Sequence, residues 1–395
     1  MKKLLCMILA CAMMVLPLCG CGSDSKSDFK LGVILLHDEA STYDANFLNG
    51  VNAAAEALGL SEDQVIIKRN IEEGNPCYEA AADLVDAGCD IIFADSFGHE
   101  TYMLKAAKEF PNVQFCHATG TMAHTEGLSN FHNAFASIYE GRYLAGVAAG
   151  LKLKEMMTAD STVVPKIGYV GAFTYAEVIS GYTSFYLGVK SIVPEVTMEV
   201  QFTGSWYDEI EEKNAAAALI DNGCVLISQH ADSMGAPSIC EERNVPNVSY
   251  NGSTVSACPN TFIVSSRIDW APYFKYICTQ VMNGDEIATD WTGTISTGSV
   301  VLTDVNTNAA AAGTAEKLAE VKAQIEAGTL KIFDTSTFTV NGATLTSYLA
   351  DVNTDADYTK DTEAVSDGYF HESEYRSAPY FDVQIDGITL LNAKY

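Results

Sequence analysis

Residues 84–96 read LVDAGCDIIFADS, and residues 219–233 read LIDNGCVLISQHADS. The runs start 135 positions apart, each behind an alanine-rich stretch (Glu79-AAADLVD and Asn214-AAAALID). In each, small and aliphatic residues recur at helical spacing up to a glycine, Gly88 or Gly223. Glycine is the residue that most easily takes the left-handed backbone ending a helix. A cysteine and an aliphatic run then read as a strand buried on both faces. Ala-Asp-Ser follows at the carboxyl end of that strand. The phrase is helix, stop, strand and polar turn, written twice.

Other fragments return at the same offset. Lys30-LGVILL and Lys166-IGYVGA lie 136 positions apart, and Gln64-VIIKRN and Met198-EVQFTG about 134. Strands are expected at 30–36, 64–69, 90–94, 112–117, 166–171, 198–203, 224–228, 246–250 and 261–265. Helices are expected at 42–58, 77–87, 99–109, 138–154, 174–192, 207–221, 235–243, 270–283 and 309–327. Alternation of this kind argues for parallel sheets covered by helices on both faces, with right-handed crossovers. The fold class expected is α/β, with two similar doubly wound parallel-sheet lobes joined by a three-strand hinge. Lobe one is 29–136 plus 267–294, and lobe two is 137–266 plus about 295–330. The crossings fall near 134–138, 264–268 and 293–297. Residues 331–395 form an extension of unassigned role: a hairpin-like run near 329–347 and a strand-like run after Ser377. Ligands in open α/β sheets sit beyond the carboxyl ends of strands, so the twin Ala-Asp-Ser turns are expected to face one cleft.

The amino terminus is read separately. MKKLLCMILACAMMVLPLCGC has two lysines, an apolar run and a small-residue exit, the pattern of a secretory signal over residues 1–21. Leu18-Cys19-Gly20-Cys21 resembles a bacterial lipoprotein box, in which Cys21 would carry lipid; an ordinary signal ending in cysteines is the alternative. Residues 22–28 are small and polar and suit a flexible tether. The expected location is the outer face of the cytoplasmic membrane, lipid-anchored. Losing the signal takes the formal charge from −28 to about −30, a surface that repels nucleic acid. Seven cysteines then remain, an odd number without a C-x-x-C pair, several inside apolar runs. They read as small buried hydrophobes and not as a disulfide frame or a metal site.

Rival chemistries find little support. Ala94-Asp-Ser96-Phe-Gly98 and Ala231-Asp-Ser233-Met-Gly235 approach a hydrolase nucleophile elbow, but both lack its first glycine and a hydrolase needs one elbow, not two. His117, His124 and His132 do not make a tight ligand set. No phosphate-binding G-x-x-x-x-G-K-[ST] occurs, so transport by this chain would need partner subunits. No catalytic residue, metal or cofactor is expected.

Four stretches resemble one known family. They are DEASTYDANF at 38–47, Tyr139-EGRYLAGVAAG, Gly168-YVGAFTYAEVISGYTSFYLGVKSIVP, and Trp206-YDEIEEKNAAAALIDNGC with the Asp269-Trp270-x-Pro-Tyr turn and Trp291-x-Gly. Over roughly residues 29–305 the chain is similar to the basic membrane protein family of ABC-transporter substrate-binding lipoproteins, which includes purine-nucleoside receptors. The resemblance implies a type I periplasmic-binding fold and capture of a small ligand, nucleoside-like first and sugar-like second, for a membrane permease and ATPase. A ligand-sensing module serving a signalling partner would share that fold. In nucleoside receptors of the family, aromatic rings sandwich the base and carboxylates hold ribose hydroxyls. Phe47 matches the stacking position, Asp38 and Asp44 nearby polar ones, and a family aspartate after Val-Ser-Tyr is Asn251 here.

Physical chemistry selects a similar set. A planar base gains from aromatic faces, and hydroxyls from carboxylates that accept charge-assisted bonds. Phe47, Phe97, Phe173, Tyr175, Trp206 and Trp270 stand near expected strand ends or hinge turns, as do Asp38, Asp44, Asp95, Ser96, His230, Asp232 and Asn251. For each ring the competing role is core packing, and for each aspartate it is capping or turn hydrogen bonding.

Overall fold

Both copies of the repeated phrase fold alike. The computed structural model describes residues 28–353 and 359–393; the signal, Cys21 and most of the tether lie outside them. Helix Asn75–Asp86 is followed by Gly88 at φ 82°, and helix Glu209–Asp221 by Gly223 at φ 91°. Buried strands Ile91–Ala94 and Ile227–His230 come next. Cys89 and Cys224 are 3% and 2% exposed at the junctions, and burial pushes their thiols up to about 11 and about 12. All seven described cysteines are free and buried.

The first lobe runs β1 (Leu31–Ile34), α1 (Thr42–Leu58), β2 (Val65–Lys68), α2 (Asn75–Asp86), β3 (Ile91–Ala94), α3 (Glu100–Glu109), β4 (Gln114–Ala118) and β5 (Phe131–Ala136). The second runs α4 (Ile138–Ala159), β6 (Lys166–Gly171), α5 (Ala176–Lys190), β7 (Thr197–Phe202), α6 (Glu209–Asp221), β8 (Ile227–His230), α7 (Gly235–Arg243), β9 (Asn247–Tyr250) and β10 (Phe262–Ile268). The chain then returns through α8 (Ala271–Asn283) and β11 (Asp290–Gly293), and crosses again to β12 (Val300–Leu302) and α9 (Thr314–Glu326).

Sheet one has the order β11-β5-β4-β3-β1-β2 and is parallel throughout. Sheet two begins β12-β10-β9-β8-β6-β7 and is parallel except for β12. The central strands are equivalent: Val33 of β1 sits between Ile67 and Phe93, and Tyr169 of β6 between Val200 and Ser228. Helices cover both faces. Leu84, Ile92 and Met103 fill one layer in lobe one, and Leu219, Ile227 and Ile239 the matching layer in lobe two. Burial on both faces is why these strands are short aliphatic runs without alternation.

The three crossings lie side by side. Ser137 N donates to Gly293 O at 2.8 Å, and Asp269 N to Ser299 O at 2.7 Å. Glu140, in the first turn of α4, accepts from Ile295 N at 2.7 Å. Neighbouring segments tied in this way resist twisting yet allow the lobes to part.

In the two main sheets the sequence reading missed β5, β11 and β12. β5 reads Phe-His-Asn-Ala-Phe-Ala, whose polar residues break an apolar run. His132 and Asn133 are nonetheless buried, His132 against Gln114 and Asn133 against Ala123 N. β11 and β12 are short and gain their partners only from the returning chain. The run near 329–347 forms no hairpin ladder beyond an isolated Val340–Ala343 bridge. Its Phe333 and Phe338 turn instead to Phe381 of the later extension, with Phe333 stacked on it at 4.3 Å. From that extension a strand, β13 (Ile388–Leu390), adds to the edge of sheet two, parallel to β7.

Candidate functional site

The carboxyl ends of β1 and β3 in one sheet, and of β6, β8 and β9 in the other, converge beside the hinge. Between them is a cavity of about 20 Å³, room for one water-sized group. Lobe one lines it with Leu36, His37, Tyr43, Asp44, Ser96, Phe97 and Thr119. Lobe two contributes Glu177, Trp206, His230, Asp232, Tyr250 and Asn251. A guest of nucleoside size enters only after the lobes part or the walls move.

Contacts across the cleft hold the lobes together. Thr42, at the start of α1, donates through its backbone N (3.1 Å) and its hydroxyl (3.2 Å) to the Asp232 carbonyl. The His37 and Tyr207 rings lie 5.6 Å apart. The Phe97 and Tyr175 rings stack at 5.0 Å.

The carboxylates are in contrasting states. Asp44 is 1% exposed and accepts from His37 N at 2.8 Å and from the Ser41 hydroxyl at 2.5 Å. Burial pushes its carboxyl up, but the bonds from His37 and Ser41 outweigh this and hold it below the usual range. Asp95, directly behind, is fully buried and accepts from Leu36 N at 3.0 Å. Burial and the Asp44 charge push Asp95 well above the usual range, so it keeps a proton beside a charged neighbour. Asp232 accepts from the Asn251 amide at 2.9 Å, and burial and then the Glu212 charge push it well up. Burial also drives His230 down, so it is a neutral ring, 3.4 Å from Glu177.

The backbone is unusual at two wall positions. Thr119, just past β4, has φ 62°, and Asn251, just past β9, has φ 63°. Asparagine tolerates this conformation; a β-branched residue is strained in it.

The residues expected from sequence fall into three groups. Asp44, Ser96, Phe97, Trp206, His230, Asp232 and Asn251 line the cavity. Asp95, Phe173 and Tyr175 stand next to it: the Asp95 carbonyl accepts from the Tyr43 hydroxyl at 2.8 Å, Phe173 packs edge-on to Trp206 at 5.0 Å, and Tyr175 stacks on Phe173 at 5.1 Å. Asp38, Phe47 and Trp270 lie away from the wall. Asp38 accepts from Ala40 N in a turn. Phe47 has no exposed surface and stacks on Trp270 at 4.5 Å, with Phe93 beside both. Trp270 reaches that position because Gly50 on α1 lacks a side chain: a Cβ there would sit 2.6 Å from Trp270 Cβ. Phe47 and Trp270, expected to present rings to the cleft, pack here in the α1–α8 interface.

Sequence reading did not single out Leu36, His37, Tyr43, Thr119, Glu177 or Tyr250. Most follow a strand directly or open the next helix, so the strand-end rule alone would have found them. No described helix is long and apolar enough to cross a membrane.

Comparison with known proteins follows from this architecture. The sequence model of the Bmp family, described as ABC transporter substrate-binding protein PnrA-like, matches residues 32–332. The chain is 32% identical over 229 residues to the purine-binding protein BAB2_0673 of Brucella abortus, covering 58% of this chain and 61% of that one. It is 32% identical over 219 residues to the putative ABC transporter glucose-binding protein TsgA13 of Haloferax volcanii, covering 55% and 53%. These matches span little more than half of each relative's length. Among solved structures, an ABC transporter solute-binding protein from Aeropyrum pernix superimposes with a TM-score of 0.66 at 16% identity, covering 84% of this chain and 95% of that one; this likeness concerns the fold. Proteins of this class are extracytoplasmic receptors that capture a small molecule for a membrane transporter and catalyse no reaction. The chain belongs to the Bmp family, the PnrA-like ABC-transporter substrate-binding proteins.

Proposed function

We propose that this chain is the lipid-anchored receptor of an ABC importer and that its guest is a nucleoside. One observation carries the reading: a cavity at the facing strand ends pairs the rings of Tyr43, Trp206 and Tyr250 with the acids Asp44 and Asp232. Flat rings suit a base, each stack contributing on the order of 1–3 kcal/mol, and a charged carboxylate suits ribose hydroxyls. The purine-binding relative supports the same choice. A sugar is the second reading, favoured by the acids and by the glucose-binding name of the other relative. In both cases closure excludes water and strengthens each polar contact. Cys21 would carry the lipid that keeps the receptor near its permease and ATPase.

Isothermal titration against nucleosides, monosaccharides and amino acids tests the ligand. Binding of nucleosides, with Trp206→Ala weakening it about tenfold or more, supports the first reading; binding of monosaccharides alone replaces it with the second. Membrane fractionation of Cys21→Ser tests the anchor: release into the soluble fraction is expected, and retention removes the lipid assignment.

A further inference from the structure

The carboxyl-terminal extension holds both lobes, but in different ways. On lobe two it is built into the sheet. β13 pairs with β7 over Ile388–Leu390, with Met198 N donating to Gly387 O and Leu391 N to Val200 O, both at 2.9 Å. Past the strand, the Asn392 side chain accepts from Phe202 N at 2.7 Å and donates to Phe202 O at 2.8 Å. Helix α5 adds two bonds, from the Tyr182 hydroxyl to Gln384 at 3.3 Å and from Lys190 Nζ to the Thr337 carbonyl at 3.0 Å.

Lobe one is reached at points. Ser377 N donates to Asp290 Oδ2 on β11 at 2.7 Å, an oxygen that also meets His124 Nε2 at 3.1 Å. The Thr125 hydroxyl donates to the Asn353 carbonyl. Between the two anchorages the extension runs along the flank of the cleft. A chamber of about 310 Å³ there is bounded by Phe97 and Thr119 of lobe one, Tyr175 and Glu177 of lobe two, and Ala378 and Pro379 of the extension. The stretch has a small core of its own, in which Phe381 stacks on Phe333 at 4.3 Å and meets Phe370 edge-on at 4.8 Å. Opening of a two-lobed receptor moves each lobe as a body. A segment that is laddered to one lobe and pinned to the other stays with the ladder and parts at the pins.

We propose that the extension is a strap on cleft opening: it rides on lobe two and fastens to lobe one at Asp290 and Thr125. Each opening of the cleft must break those bonds, so the strap biases the receptor toward its closed form. The device acts on the lobes themselves and is independent of which guest the cleft takes.

The test is amide hydrogen exchange of the full chain without added ligand, read by mass spectrometry. Thr42 N donates across the cleft to the Asp232 carbonyl, so the segment holding Thr42 reports parting of the lobes. The segments holding Met198 and Leu391 report the β13 ladder. Asp290→Ala should speed exchange at Thr42 about tenfold, the scale of one lost charge-assisted bond, and leave the ladder and the β1 strand unchanged. Asp290→Asn, which keeps an oxygen for Ser377 N, should recover part of the protection. Should Asp290→Ala loosen the whole fold, Thr125→Val decides, with about threefold faster exchange expected at Thr42 for one neutral bond. Unchanged exchange at Thr42 in every variant that folds would overturn the strap. So would faster exchange confined to the ladder, since the extension would then be letting go of lobe two.

Discussion

The Phe97 and Tyr175 rings stack across the cleft, 5.0 Å apart with planes inclined by 27°. Phe97 follows β3 in lobe one and Tyr175 precedes α5 in lobe two. They are 42% and 38% exposed, so the contact is a clasp at the rim and not part of either core. An aromatic pair of this kind contributes about 0.5–1.5 kcal/mol. Phe97→Ala should therefore shift the unliganded protein toward an open form and weaken ligand binding about two- to tenfold. Small-angle scattering and calorimetry on the variant check this; an unchanged scattering profile with unchanged affinity would remove the clasp.

Asp44 and Asp95 share one buried corner but carry different charge states. Asp95→Asn replaces a neutral acid by a neutral amide that can still accept from Leu36 N. It should change stability by less than about 1 kcal/mol. Asp44→Asn removes a charge that accepts from His37 and Ser41, and should cost about 2 kcal/mol. Urea unfolding of the two variants measures the contrast, and equal losses would contradict the assigned charge states.

Phe47 carries structural weight. Wedged between Phe93 and Trp270, its loss leaves a cavity in the α1–α8 interface. Phe47→Ala should destabilise the fold by about 3–5 kcal/mol, read as a lower denaturation midpoint with or without ligand. A variant of wild-type stability that has lost only binding would return Phe47 to the site.

Glu140 makes the hinge sensitive to pH. Burial pushes its carboxyl up to about 7 from 4.5, against the bond from Ile295 N. The folded chain thus holds a proton that the unfolded chain has released, and its stability falls as pH rises from about 4.5 to about 7. Glu140→Gln keeps an acceptor for Ile295 without a charge. It should gain about 2–3 kcal/mol over wild type at pH 8 and little at pH 4.5. Thermal melts at the two pH values decide this, and a gain of equal size at both would exclude Glu140 as the cause.

Much of the fold was legible in the chain. The twin phrase at 84–96 and 219–233, its glycine stops and its short aliphatic strands state a β/α lobe written twice, because backbone conformation and two-faced burial act on local sequence. The strand-end rule likewise brought Ser96, Phe97, His230 and Asp232 to the cavity. Tertiary structure decided the rest. Whether a ring packs inward or faces a cleft depends on what meets it from distant segments: Phe47 and Trp270 join because Gly50 lets two helices touch, while Trp206 is left at the wall. The charge states of Asp44 and Asp95 depend on which donors and which neighbour the fold supplies. The extension's place against both lobes depends on contacts between segments far apart in the chain, such as Ser377 with Asp290 and Ile388 with Met198. Local sequence carries propensity, but burial and pairing belong to the assembled chain.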